Sequence, residues 1–583
     1  MGPSARGFYA VRDRQEVLMS GVATTSTSGE KRSYASGSSE RPLSGETLGD
    51  CLAATARRFP DGLALVSRAQ GVRLTWRELD EQADALALGL LRIGVEKGDR
   101  VGIWSPTCLE WTVLQFGAAR VGAILVNVNP AYRPAELSYA LRQSGVRVLV
   151  TAPRFKTSDY LAMVAEVRSE LPDLERVVVI GSDRAAGAED LLFDELTRAG
   201  REVDADRLAE RSASLDPDDP INIQYTSGTT GNPKGATLTH HNILNNARSI
   251  AEVLGYTDAD RVCIPVPLYH CFGMGIGTLG CVASGATMVY PAESFAPEPT
   301  LDAIAEERCT SIYGVPTMFI AMLESPQFGG LDLSSLRTGI MAGAPCPIEV
   351  MKRVVSEMHA DEMTIAYGMT ETSPVSTMTR RTDDLDRRTS TVGTVLPQVE
   401  VKIVDPATGA TVPMGTPGEL CSRGYLVMAG YWEDAGATAA AVDVGGWMHT
   451  GDLAVMDADG YVNIVGRLKD MVIRGGENIY PREIEEVLFR HPAVAATQII
   501  GVPDPRMGEE LMAWVTFRED ATASEDELRD FCREHLAHFK VPRYWKITSE
   551  FPMTVTGKVQ KFKMRETAIA ELGLAHAAAI ETA

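Results

Sequence analysis

Short apolar runs alternate with amphipathic segments along most of the chain from about residue 48. The pattern predicts helices at 76–93 and 109–121 and strands at 101–104, 123–126, 147–150 and 176–180. Strands that are apolar throughout and alternate with helices are typical of a mostly parallel, doubly wound sheet. We therefore predict an α/β subdomain in this part of the chain.

A second series of the same kind begins at the segment 225–235. Its predicted strands are 262–265, 287–290, 310–313, 338–341 and 363–366, with a helix from about residue 241 and further helical stretches between the strands. Ligands of such sheets bind beyond the carboxyl ends of the strands. The segments 225–235, 343–345 and 367–369 each follow a predicted strand, so we expect all three to line one crevice.

The pattern changes after about residue 399. Strands at 399–404, 418–422 and 461–465, separated by turn residues, predict a β-rich subdomain. Helices at 481–490 and 525–536 and strands at 495–500, 511–517 and 544–547 predict a small α+β domain. The predicted organisation is a disordered tail (1–42), a large N-terminal domain of two doubly wound subdomains and the β-rich one (43–468), and a small mobile C-terminal lid domain (469–583).

The composition of the chain limits which kinds of molecule it is expected to bind. The 583 residues include 56 Lys and Arg against 78 Asp and Glu, a net charge of −22, which argues against nucleic acid as a partner. No apolar run is long enough for a transmembrane helix, so no integral membrane contact is expected. Nine cysteines without zinc spacing indicate reduced thiols. We expect a cytoplasmic protein; the mitochondrial matrix is the alternative if the tail is a transit peptide, and Met19 is an alternative start.

The segment 225–235 is rich in glycine, hydroxyl side chains and one lysine. Glycines bring backbone amides close to a ligand, and Lys234 adds a positive charge, as a polyphosphate site requires. The segment is not a Walker A loop, because Lys234 is followed by Gly235 rather than by Ser or Thr. The candidate phosphate-binding residues are Thr226, Ser227, Gly228, Thr229, Thr230, Gly231, Asn232, Pro233 and Lys234.

Three further segments contain candidate chemistry. Tyr367-Gly368-Met369-Thr370-Glu371 follows a predicted strand, and its carboxylate suits magnesium, although a helix N-terminus would look the same. Asp452, after a glycine turn, could accept hydrogen bonds from a ribose diol, although turn aspartates are common, and an isolated arginine such as Arg467 is usually a surface residue. Lys558 follows Gly557 in a Pro-x-Thr-x-x-Gly-Lys sequence, and a flexible cation there suits a developing negative charge.

These four segments, in this order, resemble the motifs of the adenylate-forming superfamily, which includes acyl-CoA synthetases, peptide-synthetase adenylation domains and firefly-type luciferases. The resemblance covers nearly all of the chain outside the tail. It implies an enzyme that uses ATP, Mg²⁺ and a thiol such as CoA to activate a small carboxylic acid.

The resemblance also implies roles for individual residues. The 226–234 loop would bind the phosphates of ATP, Thr370 would contact phosphate, Glu371 would bind Mg²⁺ and Lys558 would be catalytic. Adenine would lie among Gly343, Ala344, Pro345, Tyr367, Gly368 and Met369, and the ribose would contact Asp452 and Arg467. The lid would rotate about Lys469 and bring Gly475 and Gly476 beside the thiol tunnel.

The segment 267–275 is expected to line the acid pocket. It has no acidic residue to hold an α-amino group, so amino-acid activation is disfavoured, and it resembles medium-chain fatty acyl-CoA ligases. His270 would lie near the substrate carboxylate, and Gly273, Gly275 and Gly277 would leave room for an apolar tail.

Several alternatives stay open at this stage. Too little chain follows Lys561 for a fused carrier domain, so CoA is the expected acceptor, with an acyl-AMP ligase that serves a separate carrier protein as the alternative. An aryl-CoA ligase, a luciferase-like oxygenase and a catalytically silent binding module are the others. A homodimer is also left open.

Overall fold

The structure is a computed structural model. It describes residues 31–183, 190–226, 233–344, 346–475, 477–553, 559–574 and 576. Two large α/β sheets, a β-rich sheet and a C-terminal α+β unit follow one another, so the predicted fold class is confirmed.

The helices lie close to the predicted positions. The α-helices are α1 Leu48–Arg58, α2 Trp76–Arg92, α3 Leu109–Val121, α4 Pro134–Ser144, α5 Tyr160–Val167, α6 Phe193–Gly200, α7 Ala205–Ala213, α8 His240–Val253, α9 Gly280–Ser284, α10 Pro297–Glu307, α11 Pro316–Leu323, α12 Ile348–Glu357, α13 Leu385–Ser390, α14 Ala435–Ala441, α15 Pro481–Phe489, α16 Glu525–His535 and α17 Lys561–Glu571. Short 3₁₀ turns span Arg168–Glu170, Phe328–Gly330, Thr370–Thr372 and His538–Lys540, and Phe272–Leu279 is π-helical.

The strands form five sheets. They are β1 Tyr34–Ser36, β2 Leu63–Ser67, β3 Val72–Thr75, β4 Arg100–Trp104, β5 Ile124–Asn127, β6 Val146–Thr151, β7 Arg154–Phe155, β8 Ser158–Asp159, β9 Arg176–Val179, β10 Leu191–Leu192, β11 Pro220–Thr226, β12 Lys234–Thr239, β13 Arg261–Cys263, β14 Thr287–Tyr290, β15 Ser311–Gly314, β16 Thr338–Ala342, β17 Glu362–Gly368, β18 Val375–Met378, β19 Thr394–Val395, β20 Val399–Val404, β21 Gly418–Gly424, β22 Gly430–Tyr431, β23 Met448–Met456, β24 Val462–Arg467, β25 Val472–Arg474, β26 Glu477–Ile479, β27 Val494–Asp504, β28 Gly508–Phe517 and β29 Tyr544–Ile547.

The first large sheet has eight strands in the order β10-β9-β6-β4-β5-β11-β12-β22. It is parallel from β10 to β11 and antiparallel beyond, because β11 and β12 form a hairpin that pairs Thr226 with Lys234. The prediction that the second series begins at the phosphate-loop segment is therefore wrong, since β12, the strand after this segment, still belongs to the first sheet. The phosphate-loop segment connects two strands of that sheet.

The second sheet has nine strands in the order β19-β18-β17-β16-β15-β13-β14-β2-β3. Its central strands β17 to β2 are parallel. The hairpin β2–β3, which comes early in the chain, joins this later sheet. The carboxyl ends of β16 and β17 are adjacent, since Ala342 pairs with Ala366, and this edge holds the candidate adenine segment.

Helix α2 illustrates how local sequence and packing agree. Thr75 caps the helix by accepting from the Glu78 amide, and the Glu78 side chain accepts from the Thr75 amide in return. The helix then buries Trp76, Leu79 and neighbouring apolar side chains, which pack in the main core. Burying each large apolar side chain contributes about 2 kcal/mol, so this face fixes the helix on the sheet.

The β-rich sheet has the order β1-β20-β21-β23-β24. Its edge strand β1 pairs Tyr34–Ser36 with β20, so the prediction that residues up to 42 lack structure is wrong for this segment. Strand β23 was not predicted as a strand, because its centre reads as a glycine turn.

The C-terminal unit contains α15, α16, α17 and the sheet β26-β25-β28-β27, with β29 beside β28. Its own apolar cluster includes Val472, Leu488, Val515 and Trp545. Across the described parts of the chain, every helix is too short or too polar to span a bilayer.

Candidate nucleotide-binding site

Tyr367, Asp452 and Arg467 are in direct contact although they are far apart in the sequence. Tyr367, near the end of β17, donates a hydrogen bond from Oη to Asp452 Oδ2 at 2.6 Å. Arg467 Nε lies 3.1 Å from Asp452 Oδ1, because the two residues pair across β23 and β24. Burial, and then the nearby Asp452 carboxylate, raise the pKa of Tyr367 well above its ordinary value, so this phenol stays protonated.

Asp452 sits on an irregular part of β23. Opposite β21, Cys421 pairs with His449 and Glu419 pairs with Leu453, so 450–452 face a single residue and bulge outward. Gly451 has φ of +70°, a left-handed conformation that favours glycine. The bulge explains why this segment looks like a turn in the sequence while it belongs to a strand.

Glu371 is buried in the 3₁₀ turn after β17, where Tyr431 Oη donates to its Oε1 at 2.8 Å. Among the described residues, Glu371 forms no ion pair, so a buried carboxylate here lacks a cationic partner. A hard divalent cation such as Mg²⁺ fits this oxygen donor. Lys234 Nζ lies 5.1 Å from the centre of the Tyr431 ring, which connects the phosphate-loop segment to Glu371.

Sequence reasoning missed Tyr431. It lies on β22, which pairs with β12, so the sheet brings it beside Lys234. Burial, and then the nearby Glu371 carboxylate, raise the pKa of Tyr431, so it remains a hydrogen-bond donor to that carboxylate. No glycine-rich or charged motif surrounds Tyr431, and only the antiparallel pairing of β12 with β22 reveals its position.

The candidate acid-pocket segment meets the Thr370 turn. Cys271 Sγ lies 3.6 Å from Thr370 Oγ1 and 3.5 Å from His270 Nδ1. The Phe272 amide donates to His270 Nδ1 at 3.2 Å, so that nitrogen is an acceptor. Cys271 therefore brings His270 and Thr370 to the same region of the structure.

The three glycines of the π-helical segment have different surroundings. A Cβ on Gly273 would lie 2.3 Å from Pro267 O, and one on Gly277 would lie 3.1 Å from Ile264 Cγ2. A Cβ on Gly275 would meet only Pro374 Cδ, at 3.9 Å. The expectation that all three leave room for an acyl tail is thus wrong for Gly273, whose backbone packs closely, and holds best for Gly275.

The candidate adenine segment follows β16 and β17. Gly343 has φ of +88°, which lets the chain turn sharply at the end of β16. A Cβ on Gly368 would lie 1.8 Å from Pro374 O, so glycine is required there for close backbone packing. Ala344 and Met369 continue these two strand ends and are at this edge of the sheet.

The candidate hinge and lid residues lie beyond β24. Burial, and then the charge of Arg467, lower the pKa of Lys469. Gly475, with φ of +61°, donates from its amide to Met507 O at 2.8 Å. Arg482 Nη1 of α15 donates to Ile464 O of β24 at 2.8 Å, which joins the C-terminal unit to the β-rich sheet.

Part of the predicted site can be placed. Thr226, Pro233 and Lys234 flank the loop segment, and Thr226 Oγ1 donates to Lys234 O at 3.3 Å. The remaining predicted site residues lie outside the described residues, namely Ser227, Gly228, Thr229, Thr230, Gly231, Asn232, Pro345, Gly476 and Lys558.

These features define a class of protein: an α/β protein with a candidate nucleotide site at the carboxyl edge of its second sheet, together with a β11–β12 hairpin and a C-terminal α+β unit. The chain belongs to the AMP-binding enzyme family. The family pattern matches residues 52–432, and that of the AMP-binding enzyme C-terminal domain matches residues 483–558.

Individual relatives are similar over nearly their whole length. YngI of Bacillus subtilis, named as an acyl-CoA synthetase, is 48% identical over 536 residues, covering 90% of this chain and 97% of YngI. The mitochondrial medium-chain acyl-CoA ligase ACSF2 of Danio rerio is 43% identical, covering 93% and 91%. The crystal structure of the anthranilate CoA ligase AuaEII with anthranoyl-AMP is 29% identical with a TM-score of 0.82, covering 92% and 99%.

Proposed function

We propose that this protein is an AMP-forming acid–CoA ligase. It joins a carboxylic acid to the α-phosphate of ATP with release of pyrophosphate, and then transfers the acyl group to CoA with release of AMP. The observation that supports this most is the meeting of Tyr367, Asp452 and Arg467 at the same sheet edge as Glu371. The similarity to acyl-CoA synthetases and to a structure with a bound acyl-adenylate agrees with it.

The nucleoside of ATP is assigned to the Tyr367–Asp452–Arg467 contact. The Asp452 carboxylate accepts hydrogen bonds from the ribose hydroxyls, and Arg467 and Tyr367 hold it in place from either side. Adenine lies against Tyr367 between the strand ends at Gly343-Ala344-Pro345 and Gly368-Met369. The phosphates extend toward Thr370 and the 226–234 loop, whose glycine amides and Lys234 counter their charge.

Glu371 is assigned to Mg²⁺, which when bound neutralises phosphate charge. Tyr431 donates a hydrogen bond to one oxygen of the Glu371 carboxylate and so orients the other oxygen toward the phosphates. Thr370, in the same turn, donates its hydroxyl to a phosphate oxygen.

The chemical problem is that a carboxylate and a polyphosphate repel each other, and that a carboxylate is a poor electrophile. Lys558 is assigned the role of stabilising the negative charge that develops as the acid attacks the α-phosphorus. The resulting mixed anhydride has AMP as its leaving group, so the CoA thiol can attack the acyl carbon. Gly475 and Gly476 border the thiol path after the C-terminal domain rotates about Lys469.

We further propose a medium-chain fatty acid as the substrate. The segment 267–275 offers no carboxylate for an amino group, and Gly275 leaves apolar space beside Pro374. His270 is assigned to the end of the pocket nearest the acid carboxylate, since it approaches Thr370 through Cys271. The medium-chain activity named for ACSF2 proteins supports this substrate class. An aryl acid is the second candidate, favoured by the similarity to an anthranilate CoA ligase.

The test is a panel of short-, medium- and long-chain fatty acids and aryl acids with ATP, Mg²⁺ and CoA, in which pyrophosphate and AMP are measured. We expect acid-dependent pyrophosphate and CoA-dependent AMP, with medium-chain acids turned over fastest. Acid-dependent pyrophosphate without CoA-dependent AMP would refute the CoA ligase and favour an acyl-AMP ligase that serves a separate carrier protein. Fastest turnover of an aryl acid would refute the fatty-acid substrate.

A further inference from the structure

Three side chains form a polar cluster behind the bulge that presents Asp452. Glu419 and Cys421 lie on β21, and His449 lies opposite on β23. His449 Nδ1 donates to Glu419 Oε2 at 2.8 Å, and Cys421 Sγ lies 3.5 Å from the same nitrogen. Glu419 is 9% exposed, so its carboxylate is held almost entirely within the protein. None of these three residues has been assigned to a ligand, although His449 lies three positions before Asp452 in the segment assigned to the ribose.

The second carboxylate oxygen of Glu419 reaches the bulge itself. Its Oε1 accepts from the Gly451 amide at 3.0 Å, one residue before Asp452. Thr450 Oγ1 donates to Leu420 O at 2.7 Å, and the Asp452 amide donates to Thr450 Oγ1 at 3.1 Å. Residues 450–452 lie where β21 and β23 are out of register. The side chains of Glu419 and Thr450 hold this bulge against β21.

The other side of His449 is also occupied. Its Nε2 faces Asp443 Oδ2 at 3.8 Å, and Asp443 Oδ1 accepts from the amides of Gly445 and Trp447 at the start of β23. The imidazole therefore lies between two carboxylates. This arrangement fixes which nitrogen faces Glu419 and holds that carboxylate toward Gly451.

A metal-binding site is the alternative interpretation of this cluster. Glu419, Cys421 and His449 each offer one ligand atom, and these three atoms lie within 4.8 Å of one another. Hydrogen bonding accounts for the cluster without an ion, since both Glu419 oxygens already accept from protein donors. Burial also raises the pKa of the Cys421 thiol to about 12, whereas a metal ligand would be the thiolate.

We propose that Glu419, oriented by His449, is a positioning residue that holds the 450–452 bulge so that Asp452 faces the ribose of ATP. This inference rests on the proposed function, because it takes Asp452 as the ribose ligand. Without an acceptor at Glu419, the Gly451 amide loses its partner, and the bulge relaxes toward a regular strand that turns Asp452 away. The expected defect is therefore in recognition of the ribose hydroxyls.

The experiment compares kcat/KM for ATP with kcat/KM for its 2′-deoxy and 3′-deoxy analogues in the full chain. Glu419→Met keeps the side-chain volume and removes both acceptors. We expect this variant to lose about 10-fold in discrimination against the deoxy analogues, the equivalent of one lost hydrogen bond to a charged group. The KM for the carboxylic acid should stay unchanged.

Glu419→Gln is the conservative variant. Its amide oxygen still accepts from Gly451, and its NH₂ group donates to the other tautomer of His449, so we expect it to restore most of the discrimination. Asp457→Ala is the matched control, since Asp457 supports the β23–β24 turn by accepting from Asp459 and Tyr461 amides and does not touch the bulge. It should lower stability without altering discrimination.

The Asp452→Ala variant distinguishes failure of the ribose assignment from failure of the positioning role of Glu419. If Asp452→Ala keeps full discrimination, the ribose assignment itself fails. If Asp452→Ala abolishes discrimination while Glu419→Met does not, the positioning role of Glu419 is refuted. Should Glu419→Met fail to fold, His449→Leu takes its place with the same expected loss. Stoichiometric zinc in the purified wild-type protein would also overturn the proposal.

Discussion

At the scale of single residues, the hydrogen bond from Tyr431 to Glu371 matters because Glu371 is the carboxylate proposed to bind Mg²⁺. A buried carboxylate is costly unless hydrogen bonds or a cation compensate its charge. Tyr431 supplies one hydrogen bond, and among the described residues no basic side chain pairs with Glu371. The remaining charge suits a divalent cation, so under the proposed function Tyr431 and Mg²⁺ would share this carboxylate.

We expect Tyr431→Phe to raise the Mg²⁺ concentration needed for half-maximal activity and to lower kcat by about 10-fold, as is common when a partner of a metal ligand is removed. The measurement is a Mg²⁺ titration of pyrophosphate release. Tyr461→Phe is the matched control, because Tyr461 donates to Asp383 at 2.8 Å away from the candidate site. A Tyr431→Phe enzyme with an unchanged Mg²⁺ requirement would contradict the role.

At the scale of elements, the sequence pattern predicts most strands of the two large sheets. The runs at 101–104 and 338–341 match β4 Arg100–Trp104 and β16 Thr338–Ala342, because fully buried strands are apolar on both faces. Which strands share a sheet was not predictable. The hairpin β2–β3 joins a sheet built mainly from residues beyond 260, and hydrophobic periodicity has no information on such long-range pairing.

Two of the strands that the sequence did not predict were missed for different physical reasons. Strand β23 is interrupted by the Gly451 bulge, so its sequence reads as a turn although both flanks pair with neighbouring strands. Strand β1 has only three residues in a polar segment, and its pairing with β20 gives it structure that its composition does not suggest. Here tertiary pairing outweighs local propensity.

The pairing of β1 leads to a test by truncation. Ser33 donates from its amide to Val412 O at 2.8 Å and from Oγ to Pro413 O at 2.9 Å, and Tyr34 Oη contacts Glu400. Each such hydrogen bond contributes about 1 kcal/mol. Removal of residues 1–37 should therefore lower the midpoint of thermal unfolding by about 3 °C relative to removal of residues 1–30. Equal midpoints for the two truncations would show that β1 does not stabilise the sheet.

At the scale of the whole molecule, the candidate site draws on both large sheets, the β-rich sheet and the C-terminal unit. The sequence predicts which segments contribute, since each motif is local and has its own glycines and charges. It does not predict the contacts between them. The Tyr367–Asp452 and Tyr431–Glu371 hydrogen bonds join residues 85 and 60 positions apart, and such pairs follow only from how the sheets are assembled.

The two-step reaction requires that different groups act in turn on one acyl group. Arg482 fastens α15 to β24 through Ile464 O, so the proposed rotation of the C-terminal domain about Lys469 would break this contact. Lys558 belongs to that domain in the sequence, and Asp452 belongs to the β-rich sheet. If rotation brings Lys558 to the α-phosphate only for the first step, loss of its charge should affect the two half-reactions unequally.

We therefore expect Lys558→Ala to slow acyl-adenylate formation by at least about 100-fold, since a cation that stabilises transition-state charge contributes about 3 kcal/mol. Thioester formation from supplied acyl-adenylate and CoA should stay close to the wild-type rate, because the acyl carbon is already activated. Pyrophosphate release measures the first half-reaction, and CoA-dependent AMP release from the adenylate measures the second. Lys563→Ala, which removes a neighbouring cation of the same domain, is the control and should leave both rates unchanged. An equal loss in both half-reactions would contradict a role for Lys558 confined to the first, and with it the rotation that confines it there.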